Sequence, residues 1–269
     1  MTSATATVGE HGSYHKVPLA AARDTIAMTR RNLITIRRIP TLLVFTLIQP
    51  VIFVLLFRYV FGGAIRVSGG RYVDYLMPGI FVQTVVFGAT NTAIGLAADV
   101  KSGLLERFRS LPMARSAVLT GRTVADLARN VFVVALMAAV GFLVGFRIHA
   151  GVVHFIAGML LGLLFSYAFS WIFATVGLAI GDPESAQAAT FPVMAPLVFA
   201  SSVFVPVASM PSWLQGWATY QPVSVTASAV RGLMLGGPVT SDLLQSLAWC
   251  LGIIAVCAPL AVWRYRRAV

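Results

Sequence analysis

The sequence predicts an all-α membrane protein with six transmembrane helices, and three observations lead to that fold class. Hydrophobic residues make up 58% of the 269 residues and charged residues only 11%, whereas soluble domains carry roughly 25% charged residues. Six stretches are apolar and long enough to supply the roughly 20 residues that a helix needs to cross the hydrocarbon core. The alternating pattern of a barrel strand is missing, and lipid admits only helices or closed barrels.

The six predicted spans follow one another without room for a separate soluble domain. The second is the clearest, because its twenty-four residues include no acid and no base. The spans are Thr41–Phe57, Tyr75–Ala98, Asn130–Phe146, Gly151–Ile180, Ser185–Met210 and Leu243–Trp263. We expect residues 41–269 to form one six-span transmembrane domain, preceded by a disordered cytoplasmic tail over residues 1–17.

The placement of charge predicts the orientation of the chain. Of the 20 basic residues, fifteen lie before the first span, between spans two and three, or after the last span. The opposite side holds five: Arg58, Arg66, Arg71, Arg147 and Arg231. Short loops rich in Lys and Arg stay in the cytoplasm, so both termini are predicted to be cytoplasmic in a multi-pass plasma-membrane protein. Topology and contact with anionic lipid account for the net charge of +11, and no nucleic-acid partner is expected.

Residues 18–40 are predicted to form an amphipathic helix in the headgroup layer. Arg23, Arg30 and Arg37 recur every seven residues, which places them on one face of a helix. Another face is apolar, with Ala22, Ile26, Leu33 and Ile36. Such helices lie flat at the membrane surface. The alternative is a generic positive flank of the first span.

Two loops on the cytoplasmic side are predicted to meet a partner protein. The first forms a short helix that Pro112 ends, with one apolar face made by Leu104, Leu105, Phe108 and Leu111. Its other face carries Glu106, Arg107 and Arg109, and this mixture of charges suits a protein groove better than a lipid surface. The second loop is an acidic turn with Asp182 and Glu184.

On the opposite side, the segment 210–237 is too polar for a span and too apolar for a loop. It contains Trp213, Trp217 and Tyr220, and Trp and Tyr prefer the membrane–water boundary. We therefore predict short re-entrant helices that dip into the outer headgroup layer between spans five and six.

The sequence offers little chemistry of its own. It contains neither a serine-hydrolase elbow nor a complete phosphate loop, and its histidines lack metal-ligand spacing. We therefore predict no catalytic residue, no metal site and no bound cofactor. The nine acids are assigned to loops or span ends: Glu10, Asp24, Asp74, Asp99, Glu106, Asp126, Asp182, Glu184 and Asp242. Because ion-driven carriers usually need an ionisable group inside the membrane, this assignment disfavours a secondary carrier.

Spans two and five are predicted to line a transport route. Burying polar groups in lipid is unfavourable, so we expect the polar side chains of these spans to face the transport route rather than lipid. The predicted polar residues are Gln83, Thr84, Asn91, Ser201 and Ser202, and the predicted apolar walls are Phe87, Met194 and Phe199. The alternative is that each polar side chain bonds to a neighbouring helix.

Three segments carry a family resemblance. They are E-R-F-R-S-L-P-M-A-R-S-A-V-L-T-G-R over residues 106–122, F-V-P-V-A-S-M-P-S-W-L-Q over residues 204–215, and V-R-G-L-M-L-G over residues 230–236. With these segments the chain resembles the membrane subunit of an ABC exporter of the daunorubicin-resistance permease type, in the ABC-2-type transporter family. The resemblance covers essentially the whole chain from Pro18 onward.

The resemblance implies an interfacial elbow helix at the N-terminus and a coupling helix around Ser102–Pro112. It also implies two copies of a separate ABC ATPase subunit, which binds ATP and Mg²⁺, and a second permease chain, identical or homologous. We expect a non-catalytic permease that exports a hydrophobic or amphipathic drug or lipid. The alternatives are an ion-coupled secondary carrier, a polysaccharide or glycolipid exporter permease, and a non-transporting membrane anchor.

Overall fold

The computed structural model describes residues 26, 40–65, 67, 70–104 and 115–267, and its regular elements are all helical. In chain order the α-helices are α1 Pro40–Leu55, α2 Tyr72–Lys101, α3 Arg115–Leu143, α4 Val152–Ile180, α5 Pro183–Phe199, α6 Ser212–Tyr220, α7 Pro222–Leu235 and α8 Thr240–Arg267. A π-helix, Leu56–Phe61, continues α1, and a single 3₁₀ turn, Val207–Ser209, lies between α5 and α6. The predicted all-α class is confirmed.

Four helices of the described chain are long and apolar enough to cross a membrane. They are Tyr72–Lys101, Leu119–Leu143, Val152–Ile180 and Thr240–Tyr265. The first and fifth predicted spans form the shorter helices α1 and α5, of 16 and 17 residues. At a rise of 1.5 Å per residue, these helices are about 24–26 Å long.

Two predicted boundaries differ from the structure. Helix α3 begins at Arg115 rather than at Asn130. The charged residues Arg122, Asp126 and Arg129, which indicated a loop, lie on this helix and contact α2. Helix α5 ends at Phe199 rather than at Met210. Pro192 and Pro196 lie inside α5, where each removes a backbone hydrogen bond. The helix ends three residues after Pro196.

Helix α2 is the centre of the molecule. Its buried residues run through consecutive positions from Leu76 to Val86, as expected for a helix that is covered on all sides. It packs against α1, α3, α4, α5 and α7. At its N-terminal end the hydroxyl of Tyr72 donates to the carbonyl of Phe204 at 2.8 Å. The hydroxyl of Tyr75 donates to the carbonyl of Ser202 at 2.9 Å. These bonds anchor α2 to the connection between α5 and α6.

Glycines allow two close backbone approaches to α2. A Cβ atom at Gly177 of α4 would lie 2.3 Å from the carbonyl oxygen of Ala93. A Cβ atom at Gly79 would lie 2.3 Å from the carbonyl oxygen of Val203. Helices in lipid associate through such small residues, so these two glycines set the spacing of the bundle around α2.

Helix α8 lies at the edge of the bundle, with large apolar side chains such as Leu251 and Val256 exposed. The predicted outer segment forms the two short helices α6 and α7. The predicted amphipathic helix over residues 18–40 lies outside the described residues apart from Ile26 and Pro40. The predicted coupling helix also lies outside them beyond Leu104.

Candidate functional site

A cavity of about 410 Å³ lies between α1, α2 and α5. Its walls come from the middle of α1, one face of α2 and the middle of α5. The lining residues are Gln49, Pro50, Gln83, Thr84, Phe87, Gly88, Thr90, Asn91, Ile94, Gln187, Thr190, Phe191 and Met194. This volume falls within the range of small-molecule sites, about 300–1,000 Å³.

The cavity presents uncharged polar groups beside apolar ones. Four amide side chains and three threonines line it, and no lining side chain is ionisable. The side chain of Gln83 is the most telling, because the residue is 1% exposed and its Oε1 atom has no hydrogen-bond partner among the described residues. A buried acceptor without a partner is unfavourable by about 1–3 kcal/mol, so a ligand donor at this position would stabilise the site.

The other polar side chains on α2 are satisfied locally. The hydroxyl of Thr84 donates to the carbonyl of Ile80 at 2.7 Å, and the Nδ2 atom of Asn91 donates to the carbonyl of Gly88 at 3.1 Å. On α5 the hydroxyl of Thr190 donates to the carbonyl of Gln187 at 2.8 Å. The hydroxyl oxygens of Thr84 and Thr190 still have acceptor lone pairs that these bonds do not use, so this wall can accept hydrogen bonds from a ligand.

The structure brings together five of the eight residues predicted for the transport route: Gln83, Thr84, Phe87, Asn91 and Met194. The cavity also includes Gln49, Gln187 and Thr190, which sequence reasoning missed. Gln187, Thr190 and Met194 follow one another at i, i+3 and i+7, the spacing of one helix face. That spacing was the signal that could have identified them.

The other three predicted residues do not line the cavity. Phe199 joins a cluster of rings, with its centroid 5.9 Å from Phe53 and 5.6 Å from Phe204. The hydroxyl of Ser201 donates to the carbonyl of Val198, and the hydroxyl of Ser202 donates to the carbonyl of Ser224 at 3.2 Å. Because α5 has ended before these serines, their hydroxyls stabilise the turn that follows the helix.

A buried ionic group lies between α2 and α3. The hydroxyl of Thr92 donates to Oδ2 of Asp126 at 2.6 Å, and Nη1 of Arg129 lies 3.4 Å from Oδ1 of Asp126. Nη2 of Arg129 donates at 2.7 Å to the carbonyl of Gly88, a residue that also lines the cavity. Asp126 is 4% exposed and lies within the apolar helix Leu119–Leu143. The prediction that every acid lies in a loop or at a span end is therefore wrong for Asp126.

Further polar contacts of α3 lie on both sides of Asp126 and Arg129 along the helix. Toward the C-terminal end of α2, Nη1 of Arg122 pairs with Oδ2 of Asp99 at 3.0 Å. Toward the opposite end, Nδ2 of Asn130 donates to the hydroxyl of Ser166 at 2.6 Å. These contacts join α3 to α2 and to α4.

The predicted partner-binding residues are only partly described. Leu104 is partly buried and Glu184 is exposed, whereas Leu105, Glu106, Arg107, Phe108 and Arg109 lie outside the described residues. Asp182 binds within the chain, with its Oδ1 atom 2.7 Å from Nζ of Lys101 and its Oδ2 atom accepting from the amide of Ser185 at 2.9 Å. The hydrogen bond from Lys101 is the main reason that the pKa of Asp182 falls to about 2.

Comparison with known proteins gives one consistent result. The family model described as "ABC-2 type transporter" matches residues 23–235. The chain is 35% identical over 246 residues to the "Daunorubicin resistance ABC transporter permease protein DrrB1" of Streptomyces coeruleorubidus, covering 91% of this chain and 87% of that protein.

Two further relatives extend this result. The chain is 31% identical to the "Probable doxorubicin resistance ABC transporter permease protein DrrC" of Mycobacterium tuberculosis, over 96% of this chain and 93% of that protein. It is 27% identical to the "Inner membrane transport permease YadH" of Escherichia coli, over 75% of this chain and 80% of that protein. The family model and these long alignments agree with the all-helical, multi-pass architecture, and the chain belongs to the ABC-2 type transporter family.

Proposed function

We propose that this chain is the permease subunit of an ATP-driven exporter that moves a hydrophobic or amphipathic drug or lipid out of the cytoplasm or the inner leaflet. In this proposal α1 and α5 also cross the membrane, which gives six spans with both termini in the cytoplasm. Residues 18–40 lie along the inner surface, and α6 and α7 dip into the outer headgroup layer.

The single observation that carries this proposal is the cavity between α1, α2 and α5. It offers amides and hydroxyls beside Phe87, Phe191 and Met194, and it presents an unpartnered acceptor on Gln83. A molecule that is mostly apolar but carries hydrogen-bonding groups can satisfy both kinds of wall at once. A hydrophilic solute would gain nothing from the aromatic and apolar side chains.

The energy for transport would come from a partner. We propose that two copies of an ABC ATPase subunit bind ATP and Mg²⁺ and contact the helix around Ser102–Pro112. Glu106, Arg107 and Arg109 would form that contact together with the acidic turn at Asp182 and Glu184. The ion pair between Lys101 and Asp182 would then pass the motion of this loop to α5.

A second permease chain, identical or homologous, would complete the route. Large apolar side chains are exposed on the two helices that flank the cavity, including Ile52 on α1 and both Phe191 and Val193 on α5. Exposed apolar surface of this kind suits helix packing as well as lipid. We propose that the partner permease covers α1 and α5 and encloses the cavity.

The names of two relatives mention daunorubicin and doxorubicin resistance, and both drugs are suitable first cargoes to test. Inverted membrane vesicles that contain this permease and its ATPase should take up doxorubicin or labelled phospholipid when ATP is added. An ATPase variant without its phosphate-loop lysine is the control and should abolish uptake. Uptake driven by an ion gradient without the ATPase would indicate a secondary carrier, and uptake of sugars alone would indicate a polysaccharide exporter.

A further inference from the structure

A second cavity, of about 440 Å³, lies at the end of α2 opposite to Lys101. It is formed by the N-terminal end of α2, the connection between α3 and α4, and the C-terminal half of α7. Unlike the first cavity, it is lined by charged side chains, among them Arg71, Asp74 and Arg231. The amides of His149 and Ala150 both donate to the carbonyl of Met234 at 3.2 Å, which fixes the connection against α7.

Arg231 is held rigidly at this cavity. Its guanidinium carbon lies 3.6 Å from the centroid of the Tyr75 ring. Its Nε atom donates to the carbonyl of Tyr75 at 3.0 Å, and its Nη2 atom donates to the carbonyl of Ser202 at 2.9 Å. The Nη1 group forms no hydrogen bond within the described residues. Stacking and two backbone acceptors therefore orient a planar fork of donors whose remaining N–H groups are available to a ligand.

The charges around the cavity do not cancel. Arg71 is neutralised by Asp74, with Nε to Oδ2 at 3.0 Å and Nη2 to Oδ1 at 3.3 Å. Asp74 also accepts from the backbone amide of Arg147 at 3.1 Å. Across the part of the chain that the structure describes, no carboxylate lies within 4.0 Å of Arg231, and Asp242 acts on it only from a longer distance. One partly buried positive charge is left over.

We infer that this cavity binds the phosphate group of an anionic amphiphile, with Arg231 as the principal contact. A guanidinium fork matches phosphate oxygens in a bidentate arrangement, and a partly buried cation without a counter-ion is stabilised by an anion. In the proposed topology this end of the bundle lies at the outer headgroup layer. The site is separate from the transport cavity and goes beyond the export function.

The test uses the full-length permease in a neutral detergent. Dioleoylphosphatidylglycerol, dioleoylphosphatidylcholine and inorganic phosphate are titrated separately, and native mass spectrometry counts the bound molecules. Arg231→Gln removes the charge, and Arg231→Lys keeps the charge but loses the planar fork. Gly70→Asp adds a carboxylate at the cavity wall, with Gly70→Asn as its neutral control, because a Cβ atom at Gly70 meets nothing within 4 Å.

We expect one phosphatidylglycerol per chain, bound at least about tenfold more tightly than phosphatidylcholine. Arg231→Gln and Gly70→Asp should each weaken this binding about tenfold or more, Arg231→Lys less, and Gly70→Asn hardly at all. If Arg231→Gln fails to fold, the difference in phosphatidylglycerol binding between Gly70→Asp and Gly70→Asn tests the inference instead. Phosphatidylglycerol binding without phosphate binding assigns the site to lipid, and phosphate binding with the same sensitivity to the variants assigns it to free anions. Equal binding of the two lipids without any phosphate binding, or identical behaviour of Gly70→Asp and Gly70→Asn, overturns the inference.

Discussion

The Nζ atom of Lys101 lies 2.7 Å from Oδ1 of Asp182, so an ion pair joins the end of α2 to the start of α5. Asp182 also caps α5 by accepting the amide hydrogen of Ser185. Lys101 directly precedes the segment predicted to couple to the ATPase, and both helices line the candidate transport cavity. We propose that a displacement at that segment is passed to α5 through this ion pair as well as through the direct packing of α2 on α5.

Two substitutions of Asp182 distinguish the effect of its ion pair from the effect of its helix cap. Asp182→Asn removes the charge but keeps a good capping residue, whereas Asp182→Ala removes both. Because exposed ion pairs add little stability, Asp182→Asn should keep a thermal midpoint near that of the wild type while lowering ATP-driven export several-fold. Asp182→Ala should lower both the thermal midpoint and ATP-driven export. Scanning fluorimetry and vesicle uptake measure the two effects, and unchanged export by Asp182→Asn would exclude this coupling route.

The same pair predicts a flat pH response. The pKa of Asp182 falls from 3.8 to about 2, chiefly through the hydrogen bond from Lys101. A carboxylate with a lowered pKa contributes stability fully above its unfolded value, and this contribution is lost as the pH falls through the folded value. The difference in export between wild type and Asp182→Asn should thus stay constant from pH 5 to pH 8. A difference that disappears within that range would contradict the pairing.

Gln83→Leu should stabilise the permease and impair transport. The Oε1 atom of Gln83 is buried without a partner, so removing it should raise stability by about 1–3 kcal/mol. The same change deletes the acceptor offered to cargo and should reduce export about tenfold. Gln187→Leu is the control, because Gln187 lines the same cavity but is exposed, and it should not raise stability. Full export by Gln83→Leu would remove this residue from the route.

Gly177→Ala should force α2 and α4 apart. The added Cβ atom would lie 2.3 Å from the backbone oxygen of Ala93, and backbone cannot rotate away as a side chain can. We expect a loss of about 1–3 kcal/mol, typical of overpacking. Gly162→Ala on the same helix is the matched control, since its Cβ atom would meet nothing within 4 Å. Equal thermal midpoints for the two variants would show that the helices are not in close backbone contact.

Asp126→Asn should be strongly destabilising because it leaves Arg129 buried without its charge partner. Breaking a buried pair from one side costs about 3–5 kcal/mol. The double variant Asp126→Asn/Arg129→Met should lose less than the sum of the two single variants, since it removes both charges. Chemical denaturation of the purified permease gives the comparison. Strict additivity would mean that the two side chains do not act as a pair.

The wall of the cavity on α2 could be predicted because one helix supplies it. Gln83, Phe87 and Asn91 follow one another at intervals of four residues, so the helical period alone places them on one face. The end of α5 could not be predicted in this way. The apolar run continues past Phe199 to Met210, and hydropathy cannot distinguish a continuing span from the buried turn that Ser201 and Ser202 stabilise.

The buried position of Asp126 could not be predicted from the sequence either. Its charge indicated a loop before the third span, and its partner Thr92 lies 34 residues away on another helix. Only tertiary packing shows that the charge is satisfied within the bundle. The second cavity depended on packing for the same reason, because Arg71, His149 and Arg231 come from three distant parts of the sequence.

The central claim is that this chain forms the route of an ATP-driven exporter of amphipathic molecules. Its most direct test is the ATPase activity of the permease reconstituted with its ATPase in liposomes, measured against a panel of lipids, hydrophobic drugs and sugars. We predict stimulation by lipids or hydrophobic drugs, in a complex that contains two permease chains. Stimulation by hydrophilic sugars alone, or a complex with a single permease chain, would contradict the claim.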